Sequence, residues 1–104
     1  SLSNELTQQI LHFLFQQGAY AWRANTVGVF DRSRGIYRTS PKKGVSDILG
    51  CFNGILLAIE IKSSPKDRLS LEQEGFLKNI EHAGGYAFVA RDFNSFLDWW
   101  YKTI

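Results

Sequence analysis

Three charged residues near the middle of the chain have the types and spacing that metal-dependent hydrolysis requires. Glu60 and Lys62 end a run that is otherwise apolar, and Asp47 lies in the run before it. On a strand, residues two apart project to one face, so Glu60 and Lys62 are expected side by side. Charged side chains are costly to bury, and this pair therefore indicates either an exposed strand end or a polar site.

A hairpin is predicted to bring these residues together. Residues 45–51 and 55–62 read as strands, and Asn53-Gly54 between them is the strongest short-range hairpin signal. Asp47 and Glu60 lie at nearly equal distances from this turn, so we expect them to face each other across the two strands. Two facing carboxylates repel, and a hard divalent cation removes that cost by taking oxygen ligands from both. The pattern predicts a Mg²⁺ site at which Mn²⁺ would substitute.

Ile61 and Lys62 would complete the chemistry of this site. The Ile61 backbone carbonyl would add an oxygen ligand to the metal. Lys62 would orient and help deprotonate the attacking water, or stabilise the charged transition state. Such a reaction is phosphodiester hydrolysis. The alternative is a cross-strand salt bridge among Asp47, Glu60 and Lys62, which the three residues alone support as well.

The N-terminal elements are predicted from hydrophobic periodicity. Ser3 is expected to cap a helix with one apolar face, and Gly18 to end it. Residues 20–30 are aromatic, β-branched or small, which predicts a strand, and residues 36–38 are expected to return as a short strand.

The C-terminal elements complete one α/β domain over residues 1–104. Ser70 and Gln73 match a capping box, which predicts a helix to about Ala83 before Gly84-Gly85. Residues 86–90 are expected to form a strand, and Asn94 to cap a last helix. The predicted order is α-β-(β)-β-β-α-β-α. The helix between the two strands is long enough for a parallel crossover, so the central sheet is expected to be mixed and flanked by helices.

Composition limits the kind of protein. The chain has 104 residues, 44% of them hydrophobic, and a net charge of only +2, as expected for one ordinary globular domain. The lone Cys51 excludes an intramolecular disulfide and makes a zinc site improbable, and it is expected to pack as a small hydrophobe. The apolar runs are too short to span a membrane and no signal-peptide pattern is present, so we expect a cytoplasmic protein.

A basic stretch before Asp47 predicts contact with nucleic acid. Its cations would lie where a phosphate backbone must pass to reach the metal, and phosphate contacts position a strand without reading its sequence. Tyr37 is expected to add base stacking. The alternative is a solvated hairpin tip. The cations of this stretch are Arg32, Arg34, Arg38, Lys42 and Lys43.

Taken in order, the motifs resemble the VRR-NUC branch of the PD-(D/E)xK nucleases. An E-x-K tripeptide alone is a weak signal, and the order and context of the motifs supply the specificity. Ser46 departs from the family pattern, which usually has proline there. The motifs are Gly44-Val-Ser-Asp47-Ile-Leu-Gly50, Ile59-Glu-Ile-Lys62-Ser63, Gln73 and Gly84-Gly85.

The resemblance implies a restriction-endonuclease-like core and a complete active site. In it Asp47 and Glu60 would bind the metal, Lys62 would be catalytic, and Gln73 and Glu5 would complete the site, Glu5 either directly or through a water. From the residues alone, Gln73 is explained by the capping box. Glu5 is likewise explained as an acid favoured by the positive end of a helix dipole.

The resemblance also implies a substrate and an assembly. Small stand-alone members of the family, of phage or bacterial type, look like Holliday-junction resolvases, so branched DNA with four-way junctions is the expected substrate in a bacterial or phage-infected cytoplasm. Paired cuts require two active sites, which implies a homodimer. The alternatives are a catalytically inactive nucleic-acid-binding module, a flap or nicking nuclease without junction preference, and a carboxylate-pair hydrolase acting on sugars without a metal.

Overall fold

The computed structural model of the protein describes residues 1–24, 29–38 and 42–104, and for residues 29, 30, 37 and 38 it describes the backbone alone. Three helices and six strands occur within these ranges, in an order that begins and ends with a helix. They are α1 Leu2–Gln16, β1 Tyr20–Arg23, β2 Val29–Asp31, β3 Ile36–Arg38, β4 Ile48–Phe52, β5 Ile55–Ile61, α2 Leu71–His82, β6 Tyr86–Ala90 and α3 Phe93–Thr103.

The central sheet is mixed, as predicted, with four strands in the order β1-β4-β5-β6. β4 pairs antiparallel with β1 and β5, whereas β5 and β6 are parallel and are joined through α2. The prediction of one strand over residues 20–30 is wrong, because β1 ends at Arg23 and β2 pairs with β3 in a separate two-stranded sheet. A run of strand-forming residues does not say which partner each part of it will pair with.

The turn between β4 and β5 fixes the register of the hairpin. Asn53 and Gly54 both have positive φ angles, 51° and 80°, which suits the tight primed turns that follow the right-handed twist of paired strands. Phe52 therefore pairs with Ile55, and the ladder continues to Ile48 and Ile59. β4 is shorter than the predicted run over residues 45–51 and begins at Ile48.

One face of the sheet carries α1 and α3 and the larger core. This face buries an aromatic core, defined here as Phe13, Phe93, Phe96, Trp99 and Trp100. Phe13 meets Phe96 and Trp100 edge to face, with ring centroids 5.8 and 5.6 Å apart. Such geometry is favoured between aromatic rings, and these side chains bury large apolar areas, so this face supplies most of the hydrophobic stabilisation.

The other face carries α2 and a smaller core of Ala58, Phe76 and Leu77. The predicted capping box is present, since the Ser70 hydroxyl accepts from the Gln73 N–H and the Gln73 side chain accepts from the Ser70 N–H. The helix ends at His82 with Ala83 as its C-cap, and Gly84 follows with a φ of 97°.

Two other predicted helix caps and the predicted environment of Cys51 are wrong. α1 is capped by Ser1, whose hydroxyl accepts from the Asn4 N–H, and α3 by Asp92 rather than Asn94. Each true cap lies two residues before the predicted one. Cys51 is exposed. None of the helices in the described ranges is long and apolar enough to cross a membrane.

Candidate active site

The hairpin places Asp47 and Glu60 opposite each other at the end of the β4–β5 ladder. The pairing of Ile48 with Ile59 makes Asp47 and Glu60 the next pair along the two strands. Asp47 Oδ2 accepts a hydrogen bond from the Ile61 N–H at 2.7 Å, and the Asp47 carbonyl accepts one from the Ala24 N–H at 2.9 Å. The Asp47 carboxylate is therefore held against the backbone of β5.

The side chain of Glu60 places its carboxyl group in a buried position. Its residue is 1% exposed, and its Oε2 atom has no hydrogen-bond partner within the described ranges. Burial, followed by a hydrogen bond shared with Asp47 and repulsion from its charge, raises the pKa of Glu60 to about 9, although Lys62 opposes this shift. At neutral pH the metal-free carboxyl group thus keeps a proton that a bound cation would replace.

Gln73 forms the predicted capping box and also contacts Glu60. Its Oε1 atom accepts from the Ser70 N–H at 2.9 Å, while its Nε2 atom lies 3.4 Å from Glu60 Oε1. The same side chain therefore closes the first turn of α2 and directs one oxygen of the buried carboxyl group. The catalytic role implied by the family resemblance stays a prediction.

Gly44 allows the segment before Asp47 to pack closely against α2. Its φ is 77°, and a Cβ atom added there would lie 2.2 Å from the Glu72 carbonyl oxygen. Only glycine combines this left-handed conformation with so close an approach. Gly44 thus packs the loop carrying Asp47 onto the turn of the helix that carries Gln73, a reason that the G-x-x-D spacing alone did not reveal.

Ser46 orders the backbone on either side of Asp47. It is fully buried, and its hydroxyl donates to the Ile48 carbonyl at 2.8 Å. This hydrogen bond spans Asp47 and orders the residue at which β4 begins. The backbone around Asp47 is therefore held in place by the Ser46 side chain.

Ile61 and Lys62 continue the strand at the edge of the site. The Lys62 N–H donates to the Ala90 carbonyl on β6 at 2.9 Å, and its half-buried side chain is close enough to Glu60 to affect its pKa. The N–H and C=O groups of one strand residue point to the same side. Because the Ile61 N–H is bonded to Asp47, the Ile61 carbonyl is directed toward Asp47 as well.

Arg91 holds the loop that follows Lys62, a role that was not predicted from the sequence. Its Nη1 atom donates to the carbonyls of Lys62, Ser64 and Asp67 at 3.4, 3.0 and 3.0 Å. A guanidinium group presents several donors in a rigid plane, which suits it to tie together carbonyls from one loop. The position of Arg91 directly after β6, beside the end of the neighbouring strand β5, is the sequence feature that could have indicated this role.

Glu5 lies on α1, beside the loop that follows β5. It is exposed in the first turn of α1 and lines a cavity of about 270 Å³ with Ser63 and Arg91. Within the described residues no group of three or more His, Cys, Asp and Glu side chains is arranged to hold a metal. The carboxyl groups that the fold brings together are thus those of Asp47 and Glu60, and the role of Glu5 stays a prediction.

The structure describes the side chains of some of the residues that are predicted to contact nucleic acid. Arg32 and Arg34 are exposed in the turn between β2 and β3. This turn is organised by Asp31, whose pKa is lowered chiefly by the Ser33 hydroxyl. Lys42 and Lys43 are exposed immediately before Gly44. The side chains of Tyr37 and Arg38 lie outside the described part of the chain.

Comparisons of the chain with protein-family models, curated proteins and solved structures find no significant match. Function is therefore inferred from the chemistry of the site. The decisive groups are the two facing carboxyl groups, the lysine beside them and the glutamine that contacts the buried one.

Proposed function

We propose that this protein is a divalent-metal-dependent endodeoxyribonuclease that hydrolyses phosphodiester bonds in branched DNA. The supporting observation is the Glu60 Oε2 atom, which is buried beside Asp47 without a hydrogen-bond partner among the described residues. A buried carboxyl oxygen without a partner costs free energy. A divalent cation held by Asp47 and Glu60 would remove that cost.

The donor set fits Mg²⁺, with Mn²⁺ as a substitute. Asp47, Glu60 and the Ile61 carbonyl supply only oxygen atoms, which hard divalent cations prefer. When bound, such a cation polarises a phosphoryl oxygen and lowers the pKa of a bound water.

Residues of the chain would then stabilise the reacting phosphate and orient the two carboxylates. Lys62 donates a hydrogen bond or a proton at the reacting phosphate and stabilises the negative charge that develops there. Gln73 fixes the orientation of Glu60 through its Nε2 atom, and the backbone of Ile61 fixes that of Asp47.

The finer features of the proposal follow the resemblance to the VRR-NUC nucleases. They are a restriction-endonuclease-like core, a four-way-junction substrate, a homodimer that makes paired cuts, and a cytoplasmic location in a bacterial or phage-infected cell. The exposed cations Lys42 and Lys43, directly before Gly44, support a path for a DNA backbone toward the site, which Arg32 and Arg34 in the exposed β2–β3 turn would extend.

Cleavage assays on defined DNA structures test this function. Junction, flap, fork and linear substrates are incubated with Mg²⁺, with Mn²⁺ and with chelator. We expect metal-dependent cleavage, which Lys62→Ala and Asp47→Asn reduce by about 100-fold or more. Lys102→Ala and Asp98→Asn, both exposed on α3, are the matched controls and should cleave like the wild type.

Metal binding gives a second readout that does not depend on turnover. Calorimetric titration of Mn²⁺ into the protein without DNA should show binding that Asp47→Asn weakens and Asp98→Asn leaves unchanged. DNA binding without cleavage under every metal condition would favour the inactive binding module. Metal-independent hydrolysis of a glycoside would favour the sugar hydrolase, for which a carboxyl group of raised pKa is also suited.

A further inference from the structure

Two aromatic side chains are exposed on β1, at the edge of the central sheet. Tyr20 is 77% exposed and Trp22 is 44% exposed, and their ring centroids are 5.5 Å apart. Single exposed hydrophobic residues are common on protein surfaces. Two large rings in mutual contact form a continuous apolar surface.

The strand register places this pair on the same face of the sheet as the proposed active site. Trp22 pairs with Leu49, and Leu49 with Ala58. Residues opposite each other in antiparallel strands share a face, and so do residues two apart. Ala58 and Glu60 are two apart on β5, so Trp22 and Glu60 project to one side.

The distance from the rings to the site is short. The Ala24 N–H donates to the Asp47 carbonyl, which aligns Ala24 with Asp47 across the two strands. Trp22 is two residues before Ala24, which is about 7 Å along a strand. Tyr20 is two residues further on the same face. The two rings thus lie one after the other along β1, the strand next to the one that leads from Asp47.

The packing of α2 explains why this half of the face is open. α2 lies against β5 and β6, and its small core buries Ala58. Cys51 and Leu56, which pair with each other in the row of Tyr20, are exposed. The exposed strip therefore runs along β1 and the ends of β4 and β5 near their turn, and it is lined by aromatic, apolar and uncharged side chains.

We propose that Tyr20 and Trp22 form a stacking platform for unpaired bases of the DNA strand whose phosphodiester bond lies at Asp47 and Glu60. The proposal rests on the nuclease function and specifies its substrate class, which is branched DNA with a single-stranded segment beside the cut. Every base has a π-face that an aromatic ring can stack on, and in a duplex neighbouring base pairs cover those faces. The platform therefore favours unpaired nucleotides over fully paired DNA.

Binding measurements without a divalent metal test the platform separately from catalysis. The anisotropy of fluorescein-labelled oligo(dT), and of a fully paired duplex of the same length, is measured in chelator. Tyr20→Ala and Trp22→Ala should each weaken oligo(dT) binding by about tenfold, whereas Trp22→Phe should retain most of it. Duplex binding, which depends on phosphate contacts, should change by no more than about twofold.

Exposed aromatic residues elsewhere give matched controls. Phe15 on α1 and Tyr101 on α3 are 76% and 69% exposed, and Phe15→Ala and Tyr101→Ala should bind oligo(dT) like the wild type. All four positions are at the surface, so circular dichroism should show that each variant is folded.

The possible results separate the platform from the nuclease. Oligo(dT) binding that does not depend on Tyr20 or Trp22 would overturn the platform even if the protein cleaves DNA. Dependence on both rings would support it even if no cleavage is found. Sedimentation in which these variants dissociate a dimer without weakening oligo(dT) binding would also overturn it, because the rings would then be a subunit contact.

Discussion

The two faces of the central sheet differ in what they bury. The face toward α1 and α3 holds the aromatic core, in which Phe96 is fully buried and lies near five other rings. The face toward α2 holds a core of three residues, a buried carboxyl group and an open strip along β1. The buried ionisable group thus lies on the face where apolar packing is sparse.

This difference separates stability from chemistry within one small domain. A buried ionisable group is costly, and a chain of 104 residues has little stability to spare. Because one face supplies most of the apolar burial, the other can hold Glu60 in an unfavourable environment. We therefore expect substitutions on the α1 and α3 face to affect unfolding and substitutions on the α2 face to affect the site.

Phe96→Ala should give the largest loss of stability. It removes a fully buried ring from the aromatic core, and we expect the free energy of unfolding to fall by about 3 to 5 kcal/mol. Urea denaturation followed by circular dichroism measures this change. Phe15→Ala, at an exposed position of α1, should shift it by less than about 0.5 kcal/mol. Similar losses in the two variants would contradict the assigned core.

Gly44→Ala tests the contact between the Asp47 loop and α2. The added methyl group meets the Glu72 carbonyl in a backbone conformation of positive φ. We expect a loss of about 2 to 4 kcal/mol in the free energy of unfolding. Calorimetric titration of Mn²⁺ into the metal-free protein should also show weaker binding, because the positions of Asp47 and Gln73 depend on this contact. Unchanged stability and metal affinity would show that the contact does not position the site.

Glu60→Gln tests the cost of the buried carboxyl group. The raised pKa, about 9 against a usual 4.5, means that the folded protein holds a proton which the unfolded chain releases. Stability in chelator should therefore fall as pH rises from 4.5 toward 9. Between pH 5 and pH 8 the free energy of unfolding of the wild type should fall by roughly 1 to 3 kcal/mol more than that of Glu60→Gln. Equal pH profiles of the two proteins in urea denaturation would contradict this.

Gly75→Ala should give the smallest change, a gain in stability. Gly75 lies within α2, and a Cβ atom there would meet open space. Replacing an unstrained helical glycine by alanine stabilises a protein by about 0.5 to 1 kcal/mol. This variant is also the matched control for Gly44→Ala, since the two glycines lie near the same helix turn. A loss of stability on thermal unfolding would mean that α2 does not tolerate the methyl group.

Local signals in the sequence predicted the parts of the fold that depend on local structure. Asn53-Gly54 specified the tight turn, and the turn specified which carboxyl groups face each other. The capping box at Ser70 specified where α2 begins. The bounds of β6 were predicted correctly because glycines precede it and an apolar run defines it.

The remaining features depend on contacts between distant parts of the chain. Nothing in residues 20–30 says that β1 leaves the central sheet at Arg23, because that depends on its pairing with β4. The exposure of Cys51 depends on which strands α2 covers. The pKa of Glu60 depends on burial that only the assembled sheet provides.

The aromatic core joins segments that are far apart in the chain. Phe13 on α1 packs against Trp100 on α3, whereas Asp47, Glu60 and Gln73 come from one contiguous stretch. Contacts of large sequence separation form late, since loop closure must precede them. Because α3 is the last helix to be synthesised, the residues of the proposed active site are made before the aromatic core can close. We expect a nascent chain that lacks α3 to remain sensitive to protease and to become resistant only once that helix has been added.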